Sequence, residues 1–142
     1  MKAGKDYIGV GCGPLIVNDK NETLLLKRGA SSKNEVGFWQ KPGGEVEFNE
    51  RVEDAIKREA KEELGIEIEI LDFLGYSDHI IKNEGQHWIG FNYLAEIVNG
   101  KPTNMEPHKI DEIGWFNIND LPENVNQTTL EAIEVYKKMK GK

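Results

Sequence analysis

Residues 44–66 read GEVEFNERVEDAIKREAKEELGI, a stretch in which glycines and charged residues surround a sparse apolar pattern. At 100° per residue, its apolar side chains fall on one stripe of a helix: Val52, Ala55, Ile56, Ala60 and Leu64. Asn49 is the predicted N-cap of this helix, and Gly65 is its predicted C-terminal stop. The stretch therefore predicts a glycine-rich loop that leads into an amphipathic helix packed on a core.

Two carboxylates project into the middle of that apolar stripe. Glu59 and Glu63 lie four residues apart, and Glu62 flanks them. A like-charge pair at this spacing costs about 0.2–0.5 kcal/mol on an exposed helix, and burial raises the cost. A solvated acidic face explains the outer acids of the helix but not carboxylates on its apolar side. Hard oxygen ligands beside a glycine-rich loop indicate Mg²⁺, with Mn²⁺ as a substitute.

The size and composition predict a single domain over residues 1–142. The chain has 142 residues, 38% of them hydrophobic, which is enough for a core without disulfides or a structural metal. Its one cysteine, Cys12, has no internal partner, and we expect a cytoplasmic protein. The first 17 residues show no secretion signal, and no stretch approaches 18 apolar residues. A membrane partner is therefore not expected.

The net charge of −7 is concentrated in one segment. Residues 43–69 contain ten acids and four bases, a local balance of −6. The chain lacks the basic clusters that neutralise nucleic-acid phosphates, so we expect no nucleic-acid polymer as a partner. This acidity would also repel any other anionic ligand. Such a ligand is therefore compatible with the segment only when divalent cations lie between them.

The remaining pattern predicts mixed α/β structure. Residues 7–17 and 22–28 predict one β-hairpin, and residues 66–81 and 87–98 predict a second. A long polar connection over 101–113 precedes a short strand at 115–117. Thr128 to Glu131 forms a capping-box pattern that predicts the start of a C-terminal helix. Its predicted apolar face consists of Leu130, Ile133, Tyr136 and Met139. Two helices separated by most of the strands predict a sheet covered on both faces.

The quoted segment resembles the Nudix box, which is a glycine, five residues, Glu, seven residues, Arg-Glu, an aliphatic, any residue, Glu-Glu, any residue, Gly and an aliphatic. The matching positions are Gly44, Glu50, Arg58, Glu59, Ala60, Glu62, Glu63, Gly65 and Ile66. Ala60 departs from the larger aliphatic residue that is usual there. The runs LLLKR, GFWQKPGGEVEFNE and GWFNINDLP are similar to stretches of MutT-like nucleoside-triphosphate diphosphatases. This resemblance implies the Nudix fold, an α/β/α sandwich with a mixed sheet.

The resemblance also implies a reaction. Nudix enzymes use Mg²⁺ to hydrolyse a nucleoside diphosphate linked to another group. The expected substrate is a modified or pyrimidine nucleoside triphosphate, which would give a nucleoside monophosphate and pyrophosphate. An ADP-ribose or nucleotide-sugar diphosphatase is the alternative, although the region around Lys82 lacks the proline frequent in that group. A non-catalytic nucleotide-binding module is a further alternative.

Roles for individual residues follow from the matched positions. Glu59, Glu62, Glu63 and the carbonyl of Gly44 are implied to hold the metal. Arg58 is implied to pair with Glu50 and orient these ligands, or else to form an ordinary helical bridge to Asp54 or Glu62. The general base stays open among Glu59, Glu62 and Glu106 of the polar connection, with Glu112 as a further choice.

The substrate contacts are less specific. Arg28 and Lys41 are candidates for phosphate contacts, unless they are simply exposed cations. Gln40, Phe38, Trp88 and His87 are candidates for framing the base, or else are core or surface residues. Trp115 is expected in the core, and His79 and His108 have no predicted role. A homodimer is common among such relatives, but no apolar stripe in this sequence can be assigned to an interface.

Overall fold

The structure is a computed structural model that describes residues 1–32 and 35–141. Its elements follow in chain order: β1 (Gly9–Ile16), β2 (Glu22–Arg28), β3 (Trp39–Gln40), β4 (Gly44–Glu45), α1 (Val52–Leu64), β5 (Glu67–Ile81), β6 (Gln86–Asn99), β7 (Ile110–Asn117) and α2 (Gln127–Lys140). A 3₁₀ turn at Lys82–Glu84 joins β5 to β6 and confirms the second predicted hairpin. Among the described residues, no helix is long and apolar enough to cross a membrane.

The strands form two sheets. The larger has the order β4-β1-β6-β5, and β1 runs parallel to β6 while the other pairs are antiparallel. The smaller has the order β3-β2-β7 and is antiparallel. The predicted hairpin of the first two strands is wrong, since β1 and β2 lie in different sheets and meet in the described chain at a Val17–Thr23 bridge. The strand β1 pairs with β6 along its whole length and with β4 at Gly11 and Cys12, while β2 pairs with β3 and β7.

The two helices cover opposite faces of the larger sheet. Successive side chains of a strand point to opposite faces, and β1 shows this with Leu15 and Ile16. Leu15 packs in a cluster with Ile133 and Tyr136 of α2. Ile16 packs in the main core with the apolar stripe of α1. The structure therefore confirms the predicted α/β/α sandwich with a mixed sheet.

The helix α1 keeps its predicted stripe and its predicted end but not its predicted start. Gly65 adopts a left-handed φ of 67°, and its N–H donates to the carbonyl of Lys61. The N-cap position is Arg51, whose side chain makes no capping bond, so the assignment of Asn49 is wrong. Asn49 has a φ of 68° and belongs to a preceding turn, which Glu50 closes by accepting the backbone N–H of Glu47 at 3.0 Å.

The C-terminal part corrects two further predictions. The strand β7 begins at Ile110 and not at residue 115, because residues 110–117 pair along the whole length of β2. The capping box at Thr128 is wrong, since the side chain of Asn126 caps α2 by accepting the N–H of Thr129 at 3.1 Å. Within the predicted apolar face only Ile133 and Tyr136 are buried. Leu130 and Met139 are each 37% exposed.

Candidate active site

A cleft of about 580 Å³ collects most of the predicted site residues. Both sheets, the helix α1 and the start of α2 contribute to its walls. Eight of the ten predicted residues line it: Arg28, Gln40, Lys41, Gly44, Glu59, Glu62, Glu63 and Glu106. Glu59, Glu62 and Glu63 of α1 form the acidic wall of the cleft. Arg58 contacts Glu59 and Glu62 but does not line the cleft, and His87 also lies outside it.

Arg58 is the centre of a charge network at the acidic wall. Its Nε and Nη2 donate to the two carboxylate oxygens of Glu50 at 2.7 and 2.9 Å. Its Nη1 donates to Glu59 at 2.9 Å and reaches Glu62 at 3.4 Å. The guanidinium also binds the carbonyl of Glu45 at 3.1 Å. Both predicted pairings of Arg58, with Glu50 and with Glu62, are therefore present, and that with Asp54 is not among the described ion pairs.

This network changes the pKa values of the side chains that it contains. The hydrogen bonds from Arg58 lower the pKa of Glu50 to about 2, assisted by the backbone N–H of Glu47. Conversely, the bonded carboxylates raise the pKa of Arg58 above its usual value. The arginine is therefore permanently charged and holds the side chains of α1 against the loop that precedes the helix.

Glu59 and Glu63 are partly or largely buried, and their hydrogen bonds do not fully offset the cost of burying their charges. Burial raises the pKa of Glu63 to about 8, and the neighbouring charges of Glu59 and Glu106 add to the rise, although the backbone N–H of Gly43 donates to it at 3.0 Å. Burial also raises the pKa of Glu59. Desolvated like charges of this kind are stable only beside a cation or a proton.

The backbone of Gly44 meets one of these carboxylates directly. A Cβ added to Gly44 would lie 2.4 Å from the carboxyl carbon of Glu59, so a larger residue there would displace this carboxylate. The Pro42–Gly44 turn is itself pressed against β1, since a Cβ on Gly13 would lie 2.3 Å from the carbonyl oxygen of Pro42. The missing side chains let a backbone segment and the acidic wall approach within contact distance.

The cleft also contains basic residues. Lys41 follows β3, and its backbone N–H donates to the hydroxyl of Thr129 at 3.0 Å. Burial lowers the pKa of its ammonium to about 8. Burial likewise lowers the pKa of Arg28, against the opposing influence of Glu35, Glu63 and Glu84. Arg28 and Lys41 thus line the same cleft as the carboxylates of Glu59, Glu62, Glu63 and Glu106.

The polar connection brings one of its two predicted acids to the cleft. Glu106 lines the cleft, and its charge contributes to the raised pKa values of Glu59 and Glu63. The backbone N–H of Glu106 is fixed by the side chain of Asn104 at 3.1 Å. Glu112 lies elsewhere, on β7, where it is 3.9 Å from Lys27.

His87 and Trp88, two of the candidates for framing the base, lie on opposite faces of β6. Trp88 lines the cleft, but His87 lines a separate pocket beside the N-terminal residues. Gln86 is buried in the cleft wall and accepts a hydrogen bond from the indole of Trp88 at 2.9 Å. The alternation along a strand is the signal that would have selected Gln86 with Trp88 and rejected His87. Phe38 is not among the cleft residues.

Three further cleft residues had no strong sequence signal. His79 Nε2 lies 3.0 Å from the carboxylate of Glu35, and this pair ties the loop after β2 to β5. The contact with His79 lowers the pKa of Glu35 against the effect of burial. Asn126 is buried, and its amide donates to Gln40 at 3.3 Å. Outside this group, Trp115 packs against the main core as expected, and His108 is exposed.

Arg58 is the counter-charge of the acidic wall in this arrangement. Within residues 1–32 and 35–141, no three Asp, Glu, His or Cys side chains already converge as a metal cage. The oxygen donors are nevertheless of the hard type that Mg²⁺ and Mn²⁺ prefer, and the backbone of Gly44 lies close to the carboxylate of Glu59. The donor set therefore fits a divalent cation.

Comparison with known proteins matches this geometry. The model of the NUDIX domain family matches residues 8–138. The chain belongs to the NUDIX family of hydrolases. This membership confirms the resemblance and the enzyme class predicted from the sequence, and divalent metal use is general in this family.

Individual Nudix proteins similar to this chain include solved structures and curated relatives. A MutT NUDIX hydrolase from Burkholderia pseudomallei has a TM-score of 0.85 and 41% identity, over 91% of this chain and 98% of that one. Nudix hydrolase YvcI of Bacillus subtilis is 31% identical over 75% of this chain. An ADP-ribose pyrophosphatase of Methanocaldococcus jannaschii is 32% identical over 75% of it. The matches span 65% and 61% of the lengths of these two curated relatives.

Proposed function

We propose that this Nudix protein hydrolyses a nucleoside triphosphate, with a modified or a pyrimidine base, to a nucleoside monophosphate and pyrophosphate. The observation that carries the proposal is the composition of the cleft, which Glu59, Glu62, Glu63 and Glu106 line together with Arg28 and Lys41. Such a site suits a polyphosphate that contacts the cations directly and the carboxylates through divalent metal ions. The cytoplasm is the proposed compartment, since Cys12 is a buried free thiol.

The proposed metal site consists of Glu59, Glu62, Glu63 and the carbonyl of Gly44. The pKa values of Glu59 and Glu63 are raised although Arg58 and the N–H of Gly43 donate to them, and this supports the assignment, because a divalent cation offsets the remaining charge. Mg²⁺ is the proposed ion and Mn²⁺ its substitute. When bound, the ion would neutralise the diphosphate, polarise the attacked phosphorus and lower the pKa of water.

Side chains of the protein would position the metal ligands, bind the phosphates and accept the proton. Arg58 would hold Glu59 and Glu62 in position through the bonds that it already makes, and Glu50 would fix the arginine in turn. Lys41 and Arg28 would bind terminal phosphate oxygens. A carboxylate would accept the proton of the attacking water as a phosphorus–oxygen bond breaks to release pyrophosphate.

Glu106 is the proposed proton acceptor. It lies in the connection before β7, it lines the cleft, and no side-chain ion pair with it is described. Glu59 and Glu62 are the alternatives, but Arg58 already engages both carboxylates. Glu112 is excluded from the proposal because it lies outside the cleft, and His87 is excluded as a substrate contact for the same reason.

An ADP-ribose diphosphatase is the second proposal. The similarity to the ADP-ribose pyrophosphatase of Methanocaldococcus jannaschii favours it. That reaction breaks the same kind of phosphorus anhydride and would use the same acidic wall. The two proposals differ only in the group that lies beyond the diphosphate.

One incubation distinguishes these proposals. The protein is incubated with Mg²⁺ and, separately, dCTP, dUTP, 8-oxo-dGTP and ADP-ribose, and the products are separated by ion exchange. We expect pyrophosphate and a monophosphate from at least one triphosphate. Release of AMP from ADP-ribose alone would replace the first proposal by the second. Turnover of none of these compounds, with Mg²⁺ binding demonstrated by calorimetry, would contradict both proposals.

A further inference from the structure

Two glycines leave part of the cleft floor without side chains. Gly11 of β1 and Gly90 of β6 are direct partners in the parallel register, and both line the cleft. Partners in register point their side chains to the same face of a sheet. A Cβ on Gly90 would meet no heavy atom within 4 Å, and a Cβ on Gly11 would meet its nearest neighbour at 3.6 Å.

Neither the packing nor the backbone of the protein requires these two glycines. Gly13 on the same strand is different, since its Cβ would strike the carbonyl oxygen of Pro42 at 2.3 Å. Gly11 and Gly90 also lack a positive φ. Glycine weakens a strand, and within a strand it often marks a place where a ligand approaches the backbone closely. The absence of side chains at Gly11 and Gly90 therefore leaves space in which a ligand can contact the backbone.

A fixed aromatic wall borders this floor. Trp88 lies two residues before Gly90 on β6 and pairs in register with Gly9. Its indole contacts the backbone so closely that a Cβ on Gly4 or Gly9 would lie 2.3 or 2.4 Å from a ring atom. The indole N–H donates to Gln86. Since the backbone of Gly4 and Gly9 and the side chain of Gln86 contact the indole, the ring stays beside the two glycines and does not cover them.

We propose that Gly90, with Gly11 beside it, determines the substrate specificity of the cleft, because the planar base of the nucleotide lies on the bare backbone of β1 and β6 next to Trp88. This inference rests on the proposed nucleotide hydrolysis and specifies which part of the cleft recognises the base. A side chain at position 90 would occupy the place of the base. It would leave the acidic wall and the phosphate-binding cations untouched.

The test uses Gly90→Ala and Gly90→Val, with Gly141→Ala at the far end of α2 as the control. The Cβ at position 90 enters open space, so both variants should fold, and unchanged melting temperatures check this. For the preferred triphosphate we expect KM to rise about 10-fold in Gly90→Val, less in Gly90→Ala, and little change in kcat. Unchanged KM in a folded Gly90→Val protein would overturn the inference while leaving the proposed function in place.

A binding measurement separates recognition of the base from recognition of the sugar and phosphate. Calorimetry compares the product nucleoside 5′-monophosphate with ribose 5-phosphate, which lacks a base. We expect Gly90→Val to weaken the nucleotide about 10-fold and to leave ribose 5-phosphate unchanged. Equal weakening of both compounds would assign the floor to the sugar phosphate and overturn the inference. A wild-type protein that turns over no nucleotide would remove the proposed function and the inference together.

Discussion

At the scale of single residues, Glu62 is the acid whose removal tests the metal site most cleanly. Its side chain is about half exposed and contacts Arg58 only at 3.4 Å, so neutralising it should not unfold the protein. Since the substitution removes a proposed metal ligand, we expect Glu62→Gln to lower kcat at least about 100-fold, the scale of losing a key electrostatic stabiliser. Glu53→Gln, an exposed acid of the same helix, is the control and should keep full activity. A fully active Glu62→Gln enzyme would contradict the assignment.

Lys41 should give substrate binding a pH dependence. Its pKa is lowered to about 8, so the ammonium is charged below that pH and becomes neutral above it. We expect KM for the triphosphate to rise about 10-fold as the pH is raised past 8, since a hydrogen bond to a charged group contributes about 1.5 kcal/mol. Steady-state kinetics across this range measure the change. In Lys41→Arg, whose side chain stays charged, the rise should disappear, and identical profiles would exclude Lys41 as the phosphate contact.

Three of the eight cleft residues that the sequence predicted share one property. Glu59, Glu62 and Glu63 lie on one helix, whose geometry fixes their relative positions from their spacing alone. The residues that it missed form contacts between distant segments. Asn126 contacts Gln40, which lies 86 positions earlier in the chain. His79 of β5 contacts Glu35, which lies in the loop after β2. Only tertiary packing creates such contacts, and no local pattern encodes them.

At the scale of elements, the errors have physical causes that neighbouring residues could not reveal. Two strands adjacent in sequence predict a hairpin, but β1 pairs with β4 and β6 whereas β2 pairs with β3 and β7. The sequence offers both His87 and Trp88 as candidates, although adjacent strand residues point to opposite faces. The sequence predicts the helix α1 well, because its apolar stripe, its terminal glycine and its acids all indicate which face packs on the core and which faces the cleft.

The start of α2 couples helix stability to the cleft. Asn126 is buried, caps the helix through Thr129 and donates to Gln40. We expect Asn126→Ala to lose the cap and destabilise the protein by about 1–2 kcal/mol, measured by urea unfolding. Asn126→Ser keeps a capping acceptor, loses the amide donor and adds no like charge beside Glu35, which Asn126 also contacts, so it should recover most of the stability. Equal destabilisation of both variants would show that the contacts of the amide, and not the cap, carry the effect.

At the scale of the whole molecule, the concentration of charge on α1 makes stability depend on the metal. Buried carboxylates without a cation oppose folding, and a ligand that binds only the folded state stabilises it by mass action. At about 100 times its dissociation constant, Mg²⁺ should add about 2.7 kcal/mol, which raises the melting temperature of a domain of this size by roughly 5–10 °C. Scanning calorimetry with Mg²⁺, against NaCl of equal ionic strength, measures this shift. In Glu62→Gln the shift should shrink, because one proposed ligand is lost. The same small change with Mg²⁺ and with NaCl would mean that the acids of α1 form only a solvated surface.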